Sequence, residues 1–182
     1  MENEGGAALI YHERQRLQLC LLHTLNNLFQ EEVFTRSSLN SIAETLMTND
    51  PDDHAALWPP FSLFVKPHHN PLTGNYDVNV LITALESKGV AVVWHDRRNG
   101  AAAVDLDNGL FGIVLNINVI KWAGLWKSRH WIALRKIGEI WFNLDSELRE
   151  PARFESNDEL REFLDLSIKK GGELLLIMKK KE

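Results

Sequence analysis

The residues whose types could do chemistry lie in two places far apart in the sequence. Cys20 is the only cysteine among 182 residues and stands inside the stretch YHERQRLQLCLLHTLNN. His130 opens the stretch HWIALRK, and Asn143 and Asp145 follow in EIWFNLD. A thiol becomes an effective nucleophile when a histidine takes its proton and a third group orients that histidine. These residue types therefore predict a thiol hydrolase with its nucleophile early in the chain and its partners far downstream.

A helix is predicted to carry the cysteine. Apolar residues recur at helical spacing after Cys20 and predict a helix from about Leu19 to Gln30. Cys20 would then lie near a helix N-terminus, where the partial positive charge of the helix dipole favours a thiolate.

A hairpin is predicted to carry the other two groups. The Ile137–Gly138 step indicates a tight turn between two strands. Pairing around that turn sets His130 roughly opposite the end that bears Asn143 and Asp145, so a hydrogen bond from the imidazole to either is natural. Spacing alone does not choose between the two. The arrangement is that of a papain-like thiol hydrolase.

The rest of the chain predicts an α+β fold, because helices come first and strands cluster later. Ser37 or Ser38 is predicted to cap a second helix, Asn75–Asp77 a third that stops at Gly89, and Ser156 a fourth with Glu159 in a capping box. Strands are predicted at Val90–Trp94, Phe111–Ile117, His130–Lys136 and Glu139–Asp145, with ELLLIMK as the last. We expect the helices to pack on one mainly antiparallel sheet.

Composition limits the classes of protein. A length of 182 residues suits a single domain, here residues 1–182. The formal net charge of −5 disfavours a nucleic-acid binder. One cysteine cannot form an internal disulfide, and the sequence shows neither a secretory signal nor a membrane span. We expect a monomeric intracellular protein of the cytoplasm, with the nucleus as a further compartment.

A long irregular segment interrupts the pattern between about Ser37 and Thr73. Five of the six prolines lie between Pro51 and Pro71, together with Trp58 and two phenylalanines. Long excursions in compact domains are often functional. Packing of these aromatic side chains on the core is an equally good interpretation.

Simpler interpretations exist for the candidate residues. A lone cysteine in an apolar helix is usually a small buried hydrophobic residue. His130 beside Trp131 could be an ordinary sheet histidine. Cys20 and His23 could suggest a metal site, but two ligands without a third nearby make a weak case.

The stretch YHERQRLQLCLLHTLNNLFQ closely resembles the opening of the Josephin domain, the catalytic domain of the Machado–Joseph disease ataxin and of small stand-alone Josephins. The resemblance continues through TGNYDVNVLITAL, VWHDRR and RHWIALRKIGEIWFNLDS, and covers essentially the whole chain. It implies a papain-like fold in which N-terminal helices and a mobile arm, here residues 37–73, accompany the sheet. It also implies a cysteine isopeptidase that removes or trims ubiquitin through a thioester intermediate, without metal or cofactor.

The resemblance also implies roles for individual residues. Cys20 is the nucleophile, His130 the general base and acid, and Asp145 the orienting group. Gln15 matches the glutamine that helps hold the oxyanion. Contacts to ubiquitin are implied for Val78 and Asn79, and for Trp58 in the arm. The alternative is a ubiquitin-binding module with little or no turnover.

Overall fold

The computed structural model describes residues 9–15, 19–48, 69–70, 75–121 and 126–180. The helices in these ranges are α1 (Cys20–Phe29), α2 (Arg36–Thr48), α3 (Val78–Ser87) and α4 (Asn157–Lys169). The strands are β1 (His69–Asn70), β2 (Asn75–Tyr76), β3 (Val90–Trp94), β4 (Leu110–Lys121), β5 (Trp126–Ile137), β6 (Ile140–Asn143), β7 (Ala152–Arg153) and β8 (Glu173–Lys179). Short 3-10 turns lie at Arg97–Asn99 and Ala101–Ala103.

Six strands form one antiparallel sheet in the order β3-β8-β4-β5-β6-β7. The tight hairpin joins β5 to β6, with Ile137 paired to Ile140. Its turn residues are Gly138, which has a φ of 60°, and Glu139. The turn therefore lies one residue later than the predicted step, because glycine takes the left-handed position at the start of the turn. The predicted α+β fold is confirmed.

The two faces of the sheet are covered by different helices. Alternation along each strand sends one set of side chains to each face. Val114, Trp131, Ala133, Leu175 and Ile177 join one buried cluster with residues of α1, α2 and α3. Ile113, Leu115, Ile132, Leu134 and Leu174 join the other, with Leu160 and Leu164 of α4. The sheet is thus the middle layer, and α1 packs on it beside β5.

Side-chain caps fix where the helices begin. Asp77 caps α3 and Ser156 caps α4, as predicted. The predicted cap of α2 at Ser37 or Ser38 is wrong. The Thr35 hydroxyl accepts from the Ser38 N–H at 3.1 Å, and the Ser38 hydroxyl accepts from the Thr35 N–H at 2.9 Å. Thr35 is therefore the cap, because these reciprocal bonds satisfy both N–H groups at the start of α2.

The expected arm is described only in part. Its first segment is α2, whose Leu39 and Ala43 are fully buried. Trp58 and the rest of the proline-rich stretch, apart from the short strand β1, lie outside the described residues. In the described part of the chain, no helix is both long enough and apolar enough to cross a membrane.

Candidate active site

Cys20 is the first residue of α1 and is 4% exposed. Leu19 stands at the N-cap and makes no side-chain capping bond. The N-terminus of a helix carries N–H groups without intrahelical partners and a partial positive charge. The thiol therefore lies where negative charge on sulfur or on a nearby oxygen is stabilised.

A side-chain hydrogen bond joins α1 to β5 at the point where β6 ends. Because β6 stops at Asn143, the β5 backbone beyond Ala133 lacks a partner strand on that side. The Thr24 hydroxyl of α1 donates to the carbonyl of Trp131 at 2.9 Å and takes the place of that strand. This bond joins α1 to β5 next to His130.

His130 links the thiol to a carboxylate. Its Nε2 lies 2.7 Å from Oδ1 of Asp145, and the residue is 4% exposed. The Cys20 thiol also acts on the imidazole, since it is one of the groups that raise the pKa of His130. Since Nε2 is used by Asp145, Nδ1 is the ring nitrogen that remains for the thiol. Asp145 is thus bonded to His130, and Cys20 lies close enough to the same ring to act on its pKa.

The charge of the imidazole follows from these partners. Burial by itself lowers the pKa of His130, because it disfavours the charged ring. Hydrogen bonds to Asp145 and Cys20 and the negative charges of these groups outweigh burial and raise the pKa from 6.5 to about 10. The site therefore favours a protonated imidazole between two acidic partners.

Asp145 lies just past the end of β6 and is held by its neighbours. The N–H of Leu144 donates to the Ala133 carbonyl at 2.9 Å, which extends the β5–β6 pairing by one residue. Asn143 accepts from the Asp145 N–H through its side-chain oxygen at 3.0 Å. The Glu147 N–H donates to Oδ1 of Asp145 at 2.9 Å. Sequence spacing did not decide whether Asn143 or Asp145 bonds the histidine. In the structure Asp145 bonds His130, and Asn143 supports the backbone of Asp145.

Gln15 lies beside the turn that carries Asp145. Its N–H donates to the Ser146 carbonyl at 2.7 Å, and its side-chain oxygen accepts from the Ser146 hydroxyl at 3.3 Å. The bond to the oxygen orients the side-chain amide, whose nitrogen carries the N–H groups that an oxyanion requires. His12, in the same segment, places Nε2 3.0 Å from the Asp145 carbonyl.

A polar network that the sequence reasoning missed fixes the Glu13 side chain against α1. Oε2 of Glu13 lies 2.6 Å from Nδ1 of His23, and Oε1 accepts from Asn26 at 3.0 Å and from the Tyr11 hydroxyl. Burial raises the pKa of Glu13, but hydrogen bonds from His23, Tyr11 and Asn26 outweigh it and lower the pKa below 4.5. The signal in the sequence was the pair Asn26–Asn27, two polar residues inside an apolar helix.

The remaining candidates are not part of the Cys20–His130–Asp145 chain. Val78 and Asn79 lie in the first turn of α3, where Asn79 is exposed and bonds Asp77. Among the described residues, no group of three His, Cys, Asp or Glu side chains is placed to hold a metal ion.

A buried cysteine at a helix N-terminus, together with a sheet histidine that is bonded to an aspartate just past the next strand, defines the papain-like fold class. Comparison with known proteins identifies the family. The family model described as Josephin matches residues 15–178. A Josephin-like protein of Arabidopsis thaliana is 60% identical over 162 residues, which cover 87% of this chain and 44% of that protein.

Two further relatives extend the comparison. Mouse Josephin-2 is 40% identical over 94% of this chain and 87% of its own length, and an ataxin-3 homolog of Arabidopsis thaliana is 27% identical over 98% of this chain and 62% of its own length. This chain therefore spans less than half of the Josephin-like protein of Arabidopsis thaliana and most of mouse Josephin-2. The chain belongs to the Josephin family, whose members are generally cysteine-protease-like deubiquitinases.

Proposed function

We propose that this protein is a deubiquitinase that hydrolyses the isopeptide or peptide bond at the C-terminus of ubiquitin through Cys20, His130 and Asp145. The observation that carries the proposal is the buried 2.7 Å bond between His130 and Asp145, on an imidazole whose pKa is also raised by Cys20 at the N-terminus of α1. Family membership supports the class of reaction. In this proposal residues 1–182 act as one catalytic domain.

The chemistry proceeds in two halves. Cys20 gives its proton to His130, and the thiolate attacks the carbonyl carbon at the ubiquitin C-terminus to form a tetrahedral oxyanion. Collapse of this intermediate breaks the C–N bond, and the leaving amine takes the proton from His130. A water molecule then gives a proton to His130 and attacks the thioester, which releases the ubiquitin carboxylate and regenerates the thiol.

The oxyanion is stabilised by two kinds of donor in this proposal. One is the backbone N–H at the start of α1, and the other is the side-chain amide of Gln15, oriented by Ser146. Loss of one such donor typically costs about 2.7–4 kcal/mol of transition-state stabilisation. Gln15→Ala is therefore expected to lower kcat by about 100–1,000-fold.

A ubiquitin probe that carries a C-terminal electrophile tests the proposal. We expect covalent capture by the wild type, none by Cys20→Ala, and strongly slowed capture by His130→Ala. Cys20→Ala is a close match because it removes only the sulfur at a buried position. Binding of ubiquitin by the wild type without capture would instead favour a ubiquitin-binding module with little or no turnover.

The arm is proposed to contribute to substrate binding rather than to chemistry. Trp58 would grip ubiquitin from the arm, and Val78 and Asn79 would contact it from α3. The partial exposure of Val78 and the exposure of Asn79 are compatible with such contacts. Trp58→Ala and Asn79→Ala are expected to raise the Kd for ubiquitin and to leave alkylation of Cys20 by iodoacetamide unchanged. Unaltered affinity in both variants would remove this part of the proposal.

A further inference from the structure

We propose that Asn27 is a positioning residue that holds Cys20, Gln15 and Asp145 in one arrangement. The inference rests on the proposed function for the roles of these three residues. Asn27 touches no reacting group in this proposal. Its side chain bonds the segment that carries Gln15 and the segment that carries Asp145, and so holds both segments against α1.

The side chain of Asn27 bonds two other parts of the chain. Its side-chain oxygen accepts from the Glu13 N–H at 2.5 Å, and its amide nitrogen donates to the Glu13 carbonyl at 3.1 Å. The same nitrogen donates to the Leu144 carbonyl at 3.0 Å. Glu13 lies two residues before Gln15, and Leu144 directly precedes Asp145. Asn27 therefore fixes the backbone close to both side chains.

An amide is the group that these positions require. The oxygen of Asn27 faces an N–H donor, and both hydrogens of its nitrogen face carbonyl oxygens. Reversal of the amide would place oxygen against two carbonyls, so only one orientation fits. Asn27 is fully buried, and loss of its side chain would leave the Leu144 carbonyl without this donor.

The geometry of α1 connects these bonds to the nucleophile. Asn27 follows Cys20 by seven residues. Seven residues at 3.6 per turn rotate by about 700°, or some 20° short of two full turns. Asn27 and Cys20 therefore lie on the same side of a rigid helix, roughly 10 Å apart along its axis. A shift of Glu13 or Leu144 relative to Asn27 is thus a shift of Gln15 or Asp145 relative to the thiol.

Asn26 provides a matched control on the same helix. It is 1% exposed and donates to Glu13 Oε1 and the Phe34 carbonyl, each at 3.0 Å. Its oxygen accepts from the N–H groups of Val33 and Phe34. Asn26 thus makes four side-chain bonds, but these hold the loop after α1 and the Glu13 side chain instead of the Leu144 backbone.

The experiment compares Asn27→Ala with Asn26→Ala in the full chain, at a temperature where both are folded. Both are expected to lower the melting temperature. Only Asn27→Ala is expected to lower kcat on a ubiquitin–dye conjugate, by about 10–100-fold with KM changed less than about threefold. Asn26→Ala is expected to keep kcat within about threefold of the wild type.

A second readout does not depend on ubiquitin. The NMR titration of the His130 ring reports how well Asp145 is held against it. The pKa of His130 is expected to fall in Asn27→Ala and to remain near the wild-type value in Asn26→Ala. If the wild type shows no turnover, the proposed function fails while this titration still decides the role of Asn27.

Three outcomes would overturn the inference. The first is that Asn27→Ala keeps the kcat and the His130 pKa of the wild type. The second is that Asn26→Ala lowers kcat and the His130 pKa as much as Asn27→Ala does. The third concerns folding. Asn27→Ser, which keeps one donor, replaces Asn27→Ala if the latter does not fold. If neither folds while Asn26→Ala does, Asn27 serves folding alone.

Discussion

Replacing Asp145 tests how the charge of His130 is maintained. The pKa of His130 is raised from 6.5 to about 10, so the protonated ring is present below that pH and is lost as the pH rises through it. Asp145→Asn keeps a hydrogen-bond acceptor but removes the negative charge. The pKa of His130 must then fall, and the upper limb of the pH profile of kcat/KM moves to lower pH.

The size of the shift follows from the bond that changes. Nε2 and Oδ1 are 2.7 Å apart and both residues are largely buried. A hydrogen bond to a charged group contributes about 1.5–3 kcal/mol and a neutral one about 0.5–1.5. The difference of about 1–1.5 kcal/mol corresponds to about one pH unit. Asp145→Asn should therefore move the upper limb down by about one unit and keep kcat/KM at its optimum within about tenfold.

Asp145→Ala and Asn143→Ala complete the series. Asp145→Ala removes the acceptor altogether, and we expect kcat/KM to fall by about a thousandfold or more, because the ring is no longer oriented. Asn143→Ala loses only the support of the Asp145 N–H and should be milder. The assay is hydrolysis of a ubiquitin–dye conjugate across pH. The reasoning is refuted if Asp145→Ala works normally while Asn143→Ala is inactive, or if the limb of Asp145→Asn does not move.

Three further predictions concern stability. Glu13→Gln should destabilise by about 1–3 kcal/mol at pH 7, because the charged carboxylate accepts hydrogen bonds from Tyr11, Asn26 and the His23 ring. Because the pKa of Glu13 is lowered, the difference in stability from the wild type should narrow in thermal unfolding below pH 4.5. Gly112→Ala would place a Cβ 2.5 Å from the Leu28 side chain of α1, and should lower the free energy of unfolding in urea by about 1–3 kcal/mol. Ser156→Ala should cost about 1 kcal/mol in the same assay through loss of the α4 cap, and an unchanged midpoint would contradict that role.

The long periodic elements could be predicted from the sequence. Helix α1 (Cys20–Phe29) lies inside the predicted helix Leu19–Gln30. The prediction succeeded because the apolar residues of this stretch recur at helical spacing. The outer half of the β4–β5 hairpin was missed. Strand β5 begins at Trp126 rather than His130, since the intervening Ser128 and Arg129 lack an apolar pattern. The two-residue strand β7 could not be predicted, because so short a strand depends on its pairing with β6.

The candidate site divides in a similar way. Residue types pointed to Cys20 and His130, but the choice between Asn143 and Asp145 needed the point at which β6 ends. The position of residues 11–15 could not be predicted, because side chains of Asn27 and Gln30 hold this segment and no described strand pairs with it. The bond from Asn27 to the Leu144 carbonyl could not be predicted either, because it joins residues 117 positions apart.

That separation also has a consequence for when the candidate site can form during synthesis of the chain. The bond from Asn27 to Leu144 joins residues 117 positions apart, so α1 leaves the ribosome long before its partner is made. At about 5–20 residues per second the interval is roughly 6–23 s. Asp145 is absent throughout that time, and His130 is absent for most of it. In the nascent chain the Cys20 thiol therefore lacks these two partners. The candidate site forms only after most of the sheet has been translated.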